Sequence, residues 1–355
     1  MTTIYHPSVY LLLLFINRSL TSGDGLDLTL AKQLNENGRV SFIGTQKNGP
    51  FSIPGDLARE WLKLPNPNGR PNSDVLRPWA NGLDITRRPS DTWIIDFGVN
   101  LSEADSVLYE TPFHHVQTYV KPTRLNLRRE WHRTHWWMFG DPKPSLRRSL
   151  SGIDRFIVTP MVAKYRLFSW LSARQIPENL CVAIARSDDT TFGILHSRFH
   201  ELWALSLGSS LEDRPRYTPT TTFETFPFPK GLTPNLSPAD YTNTATAEIV
   251  TAAQDLNKLR DNWLNPAEWV DWVCTSDEDK AGYPARPVAK SGHEANLKKR
   301  TLTNLYNARP AWLDNAHKTL DAAVAKAYGW NDYSPEMPGE EILRRLLTLN
   351  LARSA

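Results

Sequence analysis

Residues 190–229 read TTFGILHSRFHELWALSLGSSLEDRPRYTPTTTFETFPFP, and no single period accounts for them. From Phe192, the apolar residues Leu195, Phe199, Leu202 and Trp203 recur at spacings of three and four, which marks a helix. A charged turn follows, and then a Thr-rich tail in which aromatics alternate with prolines. Proline cannot donate to a β-ladder, so TFETFPFP suits an extended segment packed against another surface. This block divides the chain. Short runs bounded by Gly and Pro precede it, and long apolar stripes follow it.

Ahead of the block, LDLTLAKQLNENG predicts a short helix ending at Gly38. VSFIG and TWIIDFG are β-branched and aromatic runs, hence strands, and LPNPNGRPN between them is a loop. RFIVTP, YRLFSWL and NLCVAIAR predict consecutive strands of an antiparallel or mixed sheet. Beyond Pro229, Ser237-Pro238-Ala239-Asp240 has the composition of a helix start. Ile249, Val250, Ala253, Leu256, Leu259 and Trp263 form one apolar face, which should stop at Asn265-Pro266. An acidic linker is expected around 276–280. A helix from Leu302 is interrupted at Arg309-Pro310 and resumes through Leu313, Leu320 and Val324 to Gly329. A last helix carries Ile342, Leu343, Leu346 and Leu347. The expected fold class is α+β: a mixed-sheet domain over 23–234 followed by a helical domain over 235–355.

With 355 residues, 40% hydrophobic and 22% charged, the chain is of the soluble globular class, not the disordered one. Net charge is +3, yet residues 121–148 hold eight Lys/Arg against Glu130 and Asp141. That segment carries +6, so the remainder sums to −3. Concentrated positive charge points to an acidic polymer as partner. Two cysteines, Cys181 and Cys274, exclude a disulfide framework and a zinc ribbon and place the chain in a reducing cytoplasm. The run VYLLLLFI at 9–16 is far shorter than the roughly 20 residues that cross a bilayer, so no membrane partner is expected. Residues 1–22 are expected to be a non-native or disordered leader.

Lys121, Arg124, Arg128, Arg129, Arg133, Lys143, Arg147 and Arg148 are interleaved with Trp136 and Trp137. Arginine forks match phosphates and guanine edges, and Trp packs on sugars or stacks on bases. The same pattern also describes a solvated basic face over a Trp-filled core. Lys164 and Arg166, with Arg155, lie on the strands just after it and extend the candidate surface. In the charged turn, Arg214 and Arg216 either hold phosphates, helped by Thr218 and Thr220 to Thr222, or pair with Glu212 and Asp213. His196 and His200 stand four apart, the spacing of a helical metal pair. However, HSRFHE is not the metalloprotease order and no third ligand follows, so no metal is assigned. The reading as a self-sufficient metal-dependent hydrolase rests on this pair alone.

The 190–229 block closely resembles one found near the C-terminal end of MmeI-like DNA methyltransferases. Similar likenesses are carried by LPNPNGRPNSDVLRPWANGLDITRRPSDTWIIDFG at 64–98, WWMFGDPKPSLRRSLSGIDRFIVTPMVAKYRLFSWL at 136–171 and RTLTNLYNARPAWLDNAHKTLDAAVAKAYGW at 300–330. These blocks are colinear and extend from near Gly23 to the C-terminus. The resemblance implies a target-recognition region and a helical region of an adenine-N6-specific restriction-modification enzyme whose cofactor is S-adenosylmethionine. The family's Asn/Asp-Pro-Pro-aromatic loop is not found: Asn66-Pro67-Asn68 and Asn265-Pro266-Ala267 do not continue to Pro-aromatic. Nor does a Gly-rich cofactor turn follow a strand. The expected function is therefore DNA target recognition with no catalytic residues and no cofactor in this chain. Double-stranded DNA is the expected partner, together with a possible separate methyltransferase core chain. The alternative to a DNA-binding module, besides the hydrolase, is a scaffold whose helices dock a partner.

Overall fold

The computed structural model describes residues 26–354 except 209, 212 and 213, and gives only the backbone for 210, 211 and 214. The expectation for residues 1–22 lies outside these residues. Twelve strands are described: β1 (Ser41–Ile43), β2 (Ser52–Pro54), β3 (Leu76–Ala80), β4 (Thr92–Ile95), β5 (Arg155–Pro160) and β6 (Ser169–Ser172), then β7 (Ile176–Pro177), β8 (Cys181–Ile184), β9 (Ser210–Leu211), β10 (Arg214–Pro215), β11 (Val270–Val273) and β12 (Arg286–Ala289). The first sheet has the order β1-β8-β5-β6 and is antiparallel throughout. The second has the order β2-β4-β3-β7 and is mixed, because β7 joins β3 in parallel. The chain leaves the first sheet after β6, supplies β7 to the second, and returns as β8. Two-residue β7 interrupts the strands expected to be consecutive. Elements β9–β10 and β11–β12 are separate two-stranded ribbons.

The helices that matter below are α1 (Glu110–Tyr119), α2 (Lys121–Arg124), α3 (Glu130–Thr134), α4 (Pro144–Leu150), α5 (Asp189–His196) and α6 (Arg198–Leu207), then α7 (Thr246–Leu264), α8 (Leu302–Ala308), α9 (Ala311–Tyr328) and α10 (Gly339–Arg353). The α+β class is as expected. Helix α7 ends at the Asn265-Pro266 step because proline excludes the α conformation before it. Helix α9 ends at Gly329, left-handed at φ 73°, where a side chain would be strained.

Three expectations fail locally. Residues 28–37 form two 3₁₀ turns in place of one helix, and Gly38 is extended at φ −66°. The Ser237-Pro238 start yields only a 3₁₀ turn. Helix α7 begins at Thr246 instead, where Asn243 accepts from Ala245 N–H at 3.0 Å. The acidic stretch 276–280 is a short helix closed by a Thr275–Glu278 capping box, in which side chain and backbone satisfy each other's open donors.

The largest core joins Ile157, Val182 and Ile184 of the first sheet to Leu256, Leu305, Leu320, Val324 and Leu346 of the C-terminal helices. The packing therefore does not divide at residue 234. Phe223, Phe226 and Phe228 of the aromatic-proline tail lie fully buried in it. Their backbone is bonded from two segments distant in the chain. Asn37 donates its amide to the carbonyls of Phe223, Glu224 and Phe226 at 3.2, 3.1 and 2.7 Å, and Asn350 of α10 donates to that of Thr225 at 2.7 Å. Buried carbonyls need such partners. A second core under the mixed sheet collects Phe51, Trp79, Trp93, Phe113, Trp136, Trp137 and Phe139.

Candidate nucleic-acid interface

The basic segment 121–148 folds as short helices separated by turns, with Pro122 second in α2 and Pro144 first in α4, both in the first turn, where the missing N–H costs nothing. Trp136 and Trp137 are 3% and 7% exposed, so they pack inward and present no face to a base.

Two arginines expected on the surface are core residues. Arg124 is fully buried. Its guanidinium donates to the carbonyls of Lys47 at 2.6 Å, Asn48 at 2.9 Å and Met138 at 2.6 Å, and lies 5.1 Å from the Phe51 ring centroid. Arg166 is 5% exposed and donates to Thr159 Oγ1 at 2.8 Å, Pro160 O at 2.6 Å and Pro215 O at 3.1 Å. Burial pushes both guanidinium groups down to about 10. Arg124 spends its fan of donors on five contacts to the carbonyls of residues 47, 48, 135 and 138, and Arg166 joins the ends of β5 and β10 through three. Both leave the set available to a phosphate.

The remaining candidates differ in how free they are. Arg128 and Arg129 are exposed and make no hydrogen bond or ion pair with other described side chains. Arg133, also exposed, donates to Leu127 O and Arg128 O at 2.5 and 2.9 Å, which folds the loop carrying the first two back on α3. Arg148 is exposed beside Ser145. Lys121 sits 4.4 Å above the Trp136 ring, and Lys143 pairs with Asp141 at 2.6 Å. Arg147 forms a two-pronged pair with buried Asp96, at 2.7 and 2.9 Å. Lys164 and Arg216 are exposed near the other core, Lys164 bonded to Asn307 at 2.6 Å. Arg155 is tied to Asp189 at 2.9 Å and lies 3.8 Å over the Trp170 ring. The side chains of Glu212, Asp213 and Arg214 lie outside the described residues. Thr222 is buried in the turn over Pro219–Phe223 and bonded to Thr218, so it offers no hydroxyl to a ligand.

Two arginines not foreseen lie in a cleft of about 290 Å³ where the two sheets meet α4. Arg77 comes from β3, Arg174 from the turn between β6 and β7, and Arg147 from α4. Leu146, Leu150 and Ile176 supply apolar lining. Singly placed in LRPWA and SARQI, Arg77 and Arg174 give no local signal. Only the passage of the chain between sheets brings them together.

The histidine pair is not a metal site. His196 and His200 stand on different helices, α5 and α6, and are 5% and 0% exposed. His196 Nε2 accepts from Phe168 N–H at 3.2 Å and from the Arg260 guanidinium at 2.7 Å, so Nδ1 donates to Phe192 O at 3.0 Å. His200 Nδ1 donates to Leu195 O at 3.0 Å, and Nε2 accepts from Tyr217 at 3.1 Å. Burial, reinforced for His196 by the Arg260 charge, holds His196 well below the usual histidine range and His200 at about 3. All four ring nitrogens are engaged, and a neighbouring cation opposes a metal ion. Among the described residues, no group of three His, Cys, Asp or Glu is arranged to hold one. This geometry removes the observation on which the hydrolase reading rested. Also among the described residues, no helix is long and apolar enough to cross a membrane.

Comparison with known proteins gives two findings. Residues 155–230 match the family model of the MmeI target recognition domain. The fold is similar to a solved structure of the Type IIL restriction-modification enzyme MmeI in complex with DNA, at 16% identity and a TM-score of 0.62. That alignment covers 89% of this chain and 35% of the other, so the chain spans about a third of its relative's length. No curated protein matches the sequence.

Proposed function

We propose that this chain recognises a DNA target as part of a restriction-modification enzyme. The observation that carries the reading is the match of residues 155–230 to a target recognition domain, on a fold shared with an enzyme whose structure was solved on DNA. Arg128, Arg129, Arg133 and Arg148 contact phosphates and set the register, while base edges are read by other groups. Methyl transfer to adenine N6, and the S-adenosylmethionine it consumes, belong to a methyltransferase core not contained in residues 26–354. That core is either the rest of a longer enzyme or a separate partner chain. The complex works in the cytoplasm, in keeping with two unpaired cysteines.

Phosphate contacts release counterions, so duplex affinity should fall steeply with salt, with a log–log slope of about −0.9 for each phosphate neutralised. Fluorescence anisotropy of a labelled duplex measures it. The Arg128→Ala/Arg129→Ala/Arg133→Ala protein should lose two to three such units. Salt-independent binding, or an unchanged slope in the variant, would overturn the proposal.

A further inference from the structure

We infer that the cleft between the two sheets is a binding site for a nucleotide phosphate, held by Arg77 and Arg174. The lining carries three guanidinium groups, Arg77, Arg147 and Arg174, against one carboxylate, Asp96. That carboxylate is already saturated. Arg147 takes both of its oxygens, and Gly98 N–H donates to Oδ1 at 3.0 Å. Arg77 acts on Asp96 only through space, behind Arg147, and neither the Arg77 nor the Arg174 side chain makes a hydrogen bond or ion pair with another described residue. Both act electrostatically on the same Tyr283 hydroxyl, which they pull down against its burial. That hydroxyl is itself committed to Leu76 O at 2.6 Å and Ser73 O at 3.1 Å. It supplies no counter-charge.

Two guanidinium groups without a hydrogen-bond partner on one cleft call for a compact anion with several acceptor oxygens, and a phosphate offers two forks more acceptors than a single carboxylate does. Leu146, Leu150 and Ile176 beside them suit the apolar face of a sugar or base. The volume of about 290 Å³ lies near the lower end of small-ligand pockets, about 300–1,000 Å³, which admits one nucleotide unit and little more. The site is built from strand β3, a turn between sheets and helix α4, so its spacing is set by both sheets and does not depend on one loop.

The phosphate can belong to DNA, in which case the inference rests on the proposed function, or to a free nucleotide, in which case it does not. Three probes separate these sources: inorganic phosphate, deoxyadenosine 5′-monophosphate and a duplex oligonucleotide. Each is titrated into the whole chain and into Arg77→Gln/Arg174→Gln. Arginine-selective ¹⁵N labelling reads the Nε–H signals of the two residues directly. Displacement of those signals, assigned by their loss from the double variant, by phosphate or mononucleotide establishes a free-nucleotide site. A duplex salt slope that becomes shallower by about 0.9 in the double variant, with no response to the small probes, establishes a phosphodiester site. If wild-type protein ignores duplex DNA altogether, the proposed function fails while the small probes still decide the cleft. The inference is overturned if none of the three probes moves the Nε–H signals and the double variant binds duplex as wild type does. Arg77→Lys/Arg174→Lys keeps charge but removes the forks. It should recover part of the affinity, and it serves as the folded comparison if the glutamine variant is unstable.

Discussion

Replacing Arg147 by methionine should expose how much the cleft's shape depends on one ion pair. Asp96 is 5% exposed and takes two hydrogen bonds from Arg147, at 2.7 and 2.9 Å. Burial pushes its carboxyl up, but the Arg147 charge and hydrogen bonds, with Gly98 N–H, outweigh burial and hold it below the usual carboxylate range. Removing the arginine leaves a buried carboxylate with one backbone donor. Breaking a buried pair in this way costs about 3–5 kcal/mol, a large share of the roughly 5–15 kcal/mol that stabilises a typical protein. Urea unfolding at pH 7 measures the loss, and Asp96→Asn on top of Arg147→Met should recover at least half of it. The pH dependence supplies a second test. In the wild type, Asp96 binds fewer protons folded than unfolded, so its stabilisation is present above the unfolded value of about 3.9 and is lost as pH falls through the folded value. Without Arg147, burial is opposed only by the Gly98 N–H and the Arg77 charge, so the carboxyl rises from its wild-type position. The stabilisation by Asp96 above about pH 4 then shrinks, and the fall of stability on the acid side becomes shallower than in the wild type. A single variant within about 0.5 kcal/mol of wild type, or a double variant as weak as the single, would refute this account of the pair.

Other outcomes follow from the same packing. A Cβ on Gly193 would meet Ile249 Cγ2 at 2.9 Å, Ala253 Cβ at 3.0 Å and Leu320 Cδ1 at 3.1 Å, so Gly193→Val should separate α5 from α7 and α9 and cost about 1–3 kcal/mol in thermal unfolding. Burial lowers His200 and His317 to about 3, so the unfolded chain binds more protons than the folded one between about 3 and 6.5. Stability should therefore fall with acid in that window, by up to about 1.4 kcal/mol per pH unit for each ring. His200→Gln should flatten the profile, and an unchanged one would contradict the burial. Adding Zn²⁺ or Co²⁺ should not raise the melting temperature, because the nitrogens of His196 and His200 are occupied. Asn350→Ala should cost about 1–3 kcal/mol by leaving the carbonyl of Thr225 unsatisfied, with duplex affinity per folded molecule unchanged.

What could be read from the sequence follows from how local its cause is. The runs at β1, β4, β5 and β8 are strands because β-branched residues fill two-sided cores, and Pro266 and Gly329 stop helices by backbone geometry alone. Residues 28–37 were misread because the deciding contacts are distant. Leu34 N–H donates to Glu224 O at 2.8 Å, and Asn37 spends its amide on the tail, so tertiary bonds replace those of a helix. The basic cluster was legible as a count but not as a surface. Arg124 and Arg166 look like Arg128 and Arg129 in the sequence, yet Arg124 serves the carbonyls of Lys47 and Asn48 and Arg166 that of Pro215, none of them a sequence neighbour. For Arg77 and Arg174, nearly a hundred positions apart, proximity depends on β7 changing sheets, a two-residue event with no periodic trace.

Asn350 bonds Lys32 in both directions, accepting from its N–H at 2.9 Å and donating to its carbonyl at 2.7 Å. Together with the grip of Asn37 and Asn350 on one buried tail, this fastens the segment at 32–37 to α10, 318 positions along the chain from Lys32. Until α10 arrives, the carbonyls of Lys32 and Thr225 have no partner, and the core against which Phe223 and Phe226 pack is incomplete. Closure of this core must then wait for contacts 318 positions apart, as expected where contacts join distant residues.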